Sequence, residues 1–342
     1  MKKIIIIGAG AMGSAFAVPC LDNKNDITIV GTYLEDNLIE SINSNNNIHP
    51  VLKTQLPKEI KFERFEKLQN ILNQNVDIIV CGVSSIGIEW FVQQISKSYK
   101  KKIPIVLLTK GLSIVDNELS TLSDKIKNLL EKEGHSEINI SAIKGPCLAV
   151  GLANKMRTGT VIANKNLKES QYLKEIISTS YYSTEISEDI NGIELSGAIK
   201  NIYSMLIGAS EGLSNLKASE EIKSKYFLNT AASLIHRSIS EMVEFVSNYG
   251  GKAETVYGLA GLGDLYVSAI GGRNSLMGKY LGDGYLYKDA KEKFMKDITV
   301  EGAQLALEIG PKILQDLNPQ HFPLMFSMLK TICENKKLQI DW

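Results

Sequence analysis

Lys200 stands where a lysine is costly. Across "GIELSGAIKN" (192–201) and on to Leu206, its neighbours include Ile193, Leu195, Ala198, Ile199, Ile202, Met205 and Leu206. A stretch that is apolar on every side reads as a buried helix. Lysine seldom enters a protein interior without a partner or a task. Burial disfavours its charged form. A lysine tuned towards neutrality can pass a proton to a nascent alkoxide or take one from an alcohol. Helical spacing groups Lys200 with Ser196, Gly197, Tyr203 and Ser204, a mostly small-sided face with room for a ligand. The competing reading is structural: a lysine paired with Glu194 or another carboxylate to join two elements.

A second stretch bears on that choice. "GLAGLGDLYVSAIGGRNS" (258–275) is rich in glycine, which admits close backbone approach, and carries one aspartate, Asp264. Asp264 could orient the Lys200 ammonium. The segment ends in Gly-Gly-Arg-Asn, where Arg273 offers a planar fork suited to phosphate and Asn274 an amide donor. Lys110, in "LLTKG", lies just past the carboxyl end of a strand, the edge at which open α/β sheets bind ligands. A solvated loop charge is the plainer account of each taken alone.

At the N-terminus, "IIIIGAGAMGSAFA" places Gly8, Gly10 and Gly13 directly after a strand and at the mouth of a helix. In that setting Gly8 makes a tight turn, Gly10 admits a pyrophosphate and Gly13 allows close helix–strand packing, the fingerprint of a dinucleotide site. The helix N-terminus then donates amides to the phosphates. The second strand ends in "IVGTYLED", with Thr32 and Tyr33 placed to flank an adenosine ribose and Glu35 and Asp36 slightly later. This pattern does not choose between NAD and NADP. Pro19, inside the following helix, predicts a kink or an early helix end.

These groups need a scaffold, and the apolar patterning describes one. Segments 3–8, 26–31, 77–83, 104–111 and 138–145 are short, continuous and rich in Ile and Val, as in a parallel sheet covered on both faces. Helical patterns over 11–22, 85–98 and 116–133 alternate with them, and 159–163 and 181–186 extend the series. The fold class is therefore α/β, with an N-terminal doubly wound Rossmann sheet over 1–186 and a helical substrate domain over 187–342. Two polar stretches interrupt it, an excursion at 40–60 and a charged segment at 213–227.

The chain's 342 residues carry 44% apolar and 22% charged residues and a formal net charge of +0. No global field draws it to nucleic acid or an anionic membrane. Cys20, Cys81, Cys147 and Cys333 form no paired framework, and none of His49, His135, His236 and His321 lies in a motif, so no metal site is expected. The apolar run after the two N-terminal lysines is too short for a secretion signal, and no stretch is long enough to span a membrane. A cytoplasmic protein is predicted.

"GAGAMGSA", "LLTKGL", "GIELSGAIKN", "GLAGLGDL", "GGRN" and "VEGAQLA" occur in the order and at the approximate spacing of one family. The chain resembles, nearly end to end, the NAD(P)-dependent glycerol-3-phosphate dehydrogenases. The resemblance implies reversible reduction of dihydroxyacetone phosphate to sn-glycerol 3-phosphate, supplying the backbone for phospholipid synthesis. It also implies a Rossmann domain followed by a helical domain like that of 6-phosphogluconate dehydrogenase, in a homodimer.

Matched residue by residue, Lys200 falls on the family's proton donor and acceptor and Asp264 on its active-site aspartate. Lys110 matches a lysine touching substrate and cofactor. Arg273 and Asn274 match the pair at the substrate phosphate and the cofactor, with Asn201 also on the substrate side. Glu301 matches a cofactor-side glutamate. Ala11, Met12, Thr32 and Tyr33 fall where the family contacts the dinucleotide, beside Gly8, Gly10 and Gly13. Gly145 and Ala149, with Cys147 between them, match the loop that closes over substrate and nicotinamide.

Three places differ from many members. Lys144-Gly145-Pro146-Cys147 replaces Ser-Gly-Pro-Ser, Gly272 replaces a serine before the Arg-Asn pair, and the charged segment 213–227 replaces a shorter one. Another phosphorylated ketone or polyol is the alternative substrate, and a non-catalytic dinucleotide sensor is the alternative class. A hydroxyacyl-CoA dehydrogenase would show a histidine–glutamate pair, and no histidine sits in the 192–201 region. A β-hydroxyacid or 2-ketoacid reductase would have less use for "GGRN".

Overall fold

The computed structural model describes residues 1–99, 103–214 and 218–340. The chain divides into two compact units, one comprising 1–110 and 121–190, the other 111–120 and 191–342.

The first unit is built on an eight-stranded sheet. Its strands are β1 (Lys3–Ile7), β2 (Asp26–Val30), β3 (Lys61–Glu63), β4 (Ile78–Cys81), β5 (Ile105–Leu107), β6 (Ile140–Lys144), β7 (Thr158–Ala163) and β8 (Tyr182–Ser187). Their order is β8-β7-β6-β5-β4-β1-β2-β3, parallel throughout except between β6 and β7. The strand order reverses between β1 and β4, where an open sheet of this kind receives a ligand at its carboxyl edge. Ile4, Ile5, Ile6 and Ile7 are all fully buried, because both faces of β1 are covered. Ile4 and Ile6 join the core beneath helix α1 (Ala11–Asp22), and Ile5 and Ile7 join the core on the opposite face. Helix α1 continues three residues past the buried Pro19, so Pro19 does not end it.

Among the described residues the second unit is helical, with one exception. Its main helices are α2 (Ile190–Gly208), α3 (Leu228–Asn248), α4 (Asp264–Gly271), α5 (Arg273–Gly282), α6 (Glu301–Asp316) and α7 (Pro323–Cys333). The exception is a hairpin of Leu112–Val115 and Glu118–Thr121, which falls where the sequence pattern predicts a helix from 116. Asp116 and Asn117 take φ of 50° and 64°, the paired left-handed geometry of a tight two-residue turn. The helix begins only at Leu122, where the Thr121 hydroxyl caps the Asp124 amide. Leu112 is buried in the core of the second unit, and Ile114 and Leu119 pack against it.

Within the charged segment 213–227, a helix spans Glu220–Tyr226, and 215–217 lie outside the described residues. Among the described residues no helix is long and apolar enough to cross a membrane.

Candidate active site

In the first unit, the three glycines do three different things. Gly8 has φ +108°, and a Cβ there would lie 2.8 Å from the Gly82 backbone. A Cβ on Gly13 would lie 2.6 Å from the Gly8 carbonyl oxygen, so α1 rests directly on the loop. Gly10 is not crowded: the nearest atom to a Cβ would be Glu35 Oε1 at 4.0 Å. The space beside Gly10 is the place for a phosphate to approach backbone, and no side chain caps the helix that starts after it. These residues fit a dinucleotide.

Ala9, between the first two glycines, is held on both sides. Its N–H donates to Glu35 Oε2 at 3.0 Å, and the same oxygen accepts the Thr32 N–H at 2.8 Å. Its carbonyl accepts from Ser14 Oγ at 3.0 Å and lies 3.0 Å from His49 Nε2. Glu35 and His49 thus join the site, though the sequence motifs single out neither. Glu35 had a visible cue, an acidic residue after the second strand. His49 had none, since the 40–60 excursion has no periodicity.

Tyr33 is 57% exposed and leans towards Trp90, at 5.7 Å between ring centroids, and Phe65, at 6.5 Å. Beyond β5, Lys110 Nζ reaches the Gly145 carbonyl at 3.5 Å. Gly145 itself has φ +143°, with Thr160 Cα 3.0 Å from where a Cβ would stand. Cys147 and Ala149 pack beside Ala11 and Met12 against the core under α1. Lys144 is buried, and its Nζ donates to the Leu107 carbonyl at 3.2 Å.

In the second unit, α2 is buried on every side, as its composition predicts. Lys200 is 3% exposed and Asp264 2%, and Lys200 Nζ donates to Asp264 Oδ1 at 2.7 Å. Asp264 is therefore a carboxylate partner of this ammonium. The same nitrogen contacts Ser268 Oγ, one helical turn after Asp264. A π-helical turn, Leu259–Gly263, leads into α4, with the Gly263 N–H reaching back five residues to the Gly258 carbonyl at 3.1 Å. Such turns recur at functional sites. Here it delivers Asp264 to the lysine.

Close helix packing sets the rest. A Cβ on Gly278 would stand 1.9 Å from the Met205 carbonyl, so only glycine lets α5 lie this near α2. Asn201 Oδ1 accepts from Asn274 Nδ2 at 2.9 Å, and Asn274 Oδ1 accepts the Gly302 N–H at 2.9 Å. Both Asn274 heteroatoms thus tie α2, α5 and α6 together. Arg273 faces outward instead, 55% exposed at its side chain, with Nη2 2.9 Å from Glu301 Oε1. It opens α5, whose N-terminus follows Gly272 and has no side-chain cap. An uncapped helix N-terminus headed by an arginine suits a phosphate. A Cβ on Gly272 would stand 2.8 Å from the Ser268 carbonyl, so this backbone has no room for a side chain there.

An ammonium, a carboxylate and a hydroxyl held together in an apolar interior form a proton-transfer group, and the glycine loop forms a dinucleotide cradle. The fold and these two features define a nucleotide-dependent dehydrogenase. The N-terminal model of the NAD-dependent glycerol-3-phosphate dehydrogenases matches residues 3–170 and the C-terminal model residues 189–340, and the chain belongs to that family. The NADP(+)-dependent glycerol-3-phosphate dehydrogenase of Archaeoglobus fulgidus is 33% identical over 341 residues, covering 98% of this chain and 96% of the relative. The NAD(P)+ glycerol-3-phosphate dehydrogenase of Mesoplasma florum is 31% identical over 334 residues, covering 96% and 93%. The crystal structure of glycerol-3-phosphate dehydrogenase from Coxiella burnetii superposes with a TM-score of 0.80 at 25% identity, covering 99% of this chain and 96% of that one.

Proposed function

We propose that this protein is a glycerol-3-phosphate dehydrogenase, reversibly reducing dihydroxyacetone phosphate to sn-glycerol 3-phosphate with NADH or NADPH. The observation that carries the reading is the buried Lys200–Asp264 pair on an otherwise apolar helix. The nicotinamide, when bound, supplies the hydride that reduces C2 of the substrate.

The chain's own residues do the remainder. Lys200 stabilises the negative charge that develops on the C2 oxygen and gives it a proton. Asp264 and Ser268 hold the Lys200 nitrogen in place, and Asp264 offsets the cost of burying its charge. Arg273 and the first amides of α5 grip the substrate phosphate, and this remote binding energy aligns the carbonyl carbon. Asn201 and Asn274 fix the helix ends that carry this grip, and Glu301 sets the direction of the Arg273 fork. Lys110, Gly145, Cys147 and Ala149 serve the substrate and nicotinamide end of the first unit. Gly8, Gly10, Gly13, Ala11, Met12, Thr32 and Tyr33 serve the rest of the dinucleotide.

A cytoplasmic location, a homodimer and supply of backbone to phospholipid synthesis belong to the same proposal and rest on the family resemblance.

The test is loss of absorbance at 340 nm with dihydroxyacetone phosphate and either NADH or NADPH, with wild type beside Lys200→Ala. Turnover by wild type, lost in the variant while cofactor still binds, is the expected result. Tight cofactor binding with no turnover by wild type would refute the substrate and direct attention to Cys147 and Gly272. The cofactor with the higher kcat/KM identifies the physiological one.

A further inference from the structure

We infer that His49 is a positioning residue for the cofactor, holding the Ala9–Gly10 peptide in the one orientation that aims the Gly10 N–H at the pyrophosphate. The inference rests on the proposed binding of a nicotinamide dinucleotide at the glycine loop.

His49 is fully buried. Its Nδ1 accepts the N–H groups of Val51 and Leu52, at 3.2 and 3.3 Å. A nitrogen that accepts two amides carries no proton, so the ring is neutral and its proton sits on Nε2. That proton points at the Ala9 carbonyl, 3.0 Å away. The tautomer is thus set by one end of the ring and used by the other.

A peptide unit is planar and trans, so the Ala9 carbonyl and the Gly10 N–H point in opposite directions. Fixing the carbonyl fixes the amide. His49 Nε2 and Ser14 Oγ both hold this carbonyl inward. The Gly10 N–H is therefore turned the other way, while the Cβ direction of Gly10 opens on space reaching 4.0 Å to Glu35 Oε1. With glycine on its carboxyl side, at Gly10, this peptide is easier to turn over if nothing holds it. In this loop Glu35 accepts the Ala9 N–H, which belongs to the preceding peptide. The excursion at 40–60 thus adds, through one imidazole, a second restraint on this carbonyl beside that of Ser14 Oγ. Preorganising a loop in its bound form raises affinity by removing the cost of ordering it.

The experiment compares wild type with His49→Phe, which keeps a ring and loses all three hydrogen bonds, and His49→Gln, which can still donate to Ala9. NADH and NADPH are titrated by fluorescence, with ADP-ribose and adenosine as competitors. His49→Phe is expected to weaken both dinucleotides and ADP-ribose by about tenfold, the loss of a buried hydrogen bond. Adenosine, which has no pyrophosphate, should bind as before, kcat at saturating cofactor should stay within about twofold, and His49→Gln should recover much of the affinity. Unchanged dinucleotide affinity in folded His49→Phe would overturn the inference. So would an equal loss for adenosine and ADP-ribose, which would mean general distortion of the unit. Failure of the wild type to bind any dinucleotide would overturn the functional reading and this inference with it.

Discussion

The two units solve opposite problems. Around the glycine loop the chemistry is done by backbone, and side chains such as Glu35 and Ser14 only hold that backbone still. Around Lys200 the backbone is hidden inside α2, and side chains carry the charge. The first site has to admit a large anion and so must leave space, as it does beside Gly10. The second has to keep a charged group in an apolar interior and so must hold it against a partner. A site of the first kind fails when atoms are added. A site of the second kind fails when a partner is taken away.

Removing a partner should have the largest effect. Asp264→Asn leaves the buried Lys200 ammonium without its carboxylate, which costs ~3–5 kcal/mol of stability. Turnover should fall by about 10²–10³, read from urea unfolding and the absorbance assay together. Replacing both members, Lys200→Met with Asp264→Leu, should restore most of the stability while turnover stays absent. Recovery of neither would show that the pair is also needed for packing.

Adding atoms comes next. Gly13→Ala places a Cβ against the Gly8 carbonyl and should lower both the melting temperature and cofactor affinity. Gly10→Ala meets nothing internal, so its melting temperature should match wild type while cofactor affinity falls by about tenfold or more. Equal behaviour of the two variants would remove the distinction drawn between these glycines.

The smallest effect concerns a carboxylate with no part in either site. Glu241 is buried, and its oxygens accept the Leu324 and Met325 amides at the start of α7 and the Tyr203 hydroxyl. Burial raises its pKa, opposed by those three hydrogen bonds and by the charge of Arg237. A carboxyl whose folded value lies above its unfolded one binds its proton more tightly when folded. Its stabilising contribution is complete below the ordinary glutamate value of about 4.3 and is lost as pH rises through the raised one. Relative to Glu241→Gln, wild type should therefore lose stability as pH rises above the ordinary glutamate value, measured by denaturant unfolding at fixed pH. A difference that does not change with pH would count against this account.

Much of this was readable in the letters. The "GAGAMG" loop and the Ile- and Val-rich strands announce the sheet through local pattern, and Lys200 announces itself by conflict with its surroundings. Asp264 and Arg273 stood out as charges in glycine-rich sequence. The hairpin at 112–121 was hidden because "NELSTLSDKIKNLL" continues smoothly into a helical pattern, although Asp116-Asn117 carried the turn. The outermost strand β3 was hidden because "KFE" is short and charged, as strands at sheet edges often are. The packing duty of Asn274 was out of reach, because its partners Asn201 and Gly302 are remote in sequence. His49 was out of reach for the same reason.

The hairpin has a consequence for anyone who would cut the gene. The helical unit is written in two pieces, with 111–120 encoded inside the sequence of the other unit. A fragment starting at 191 would lack Leu112, Ile114 and Leu119, which belong to its own core. The helical unit is therefore not a cassette that a single cut could transplant. Any recombination or fragment-complementation scheme has to carry those ten residues with it, from a point some eighty residues upstream.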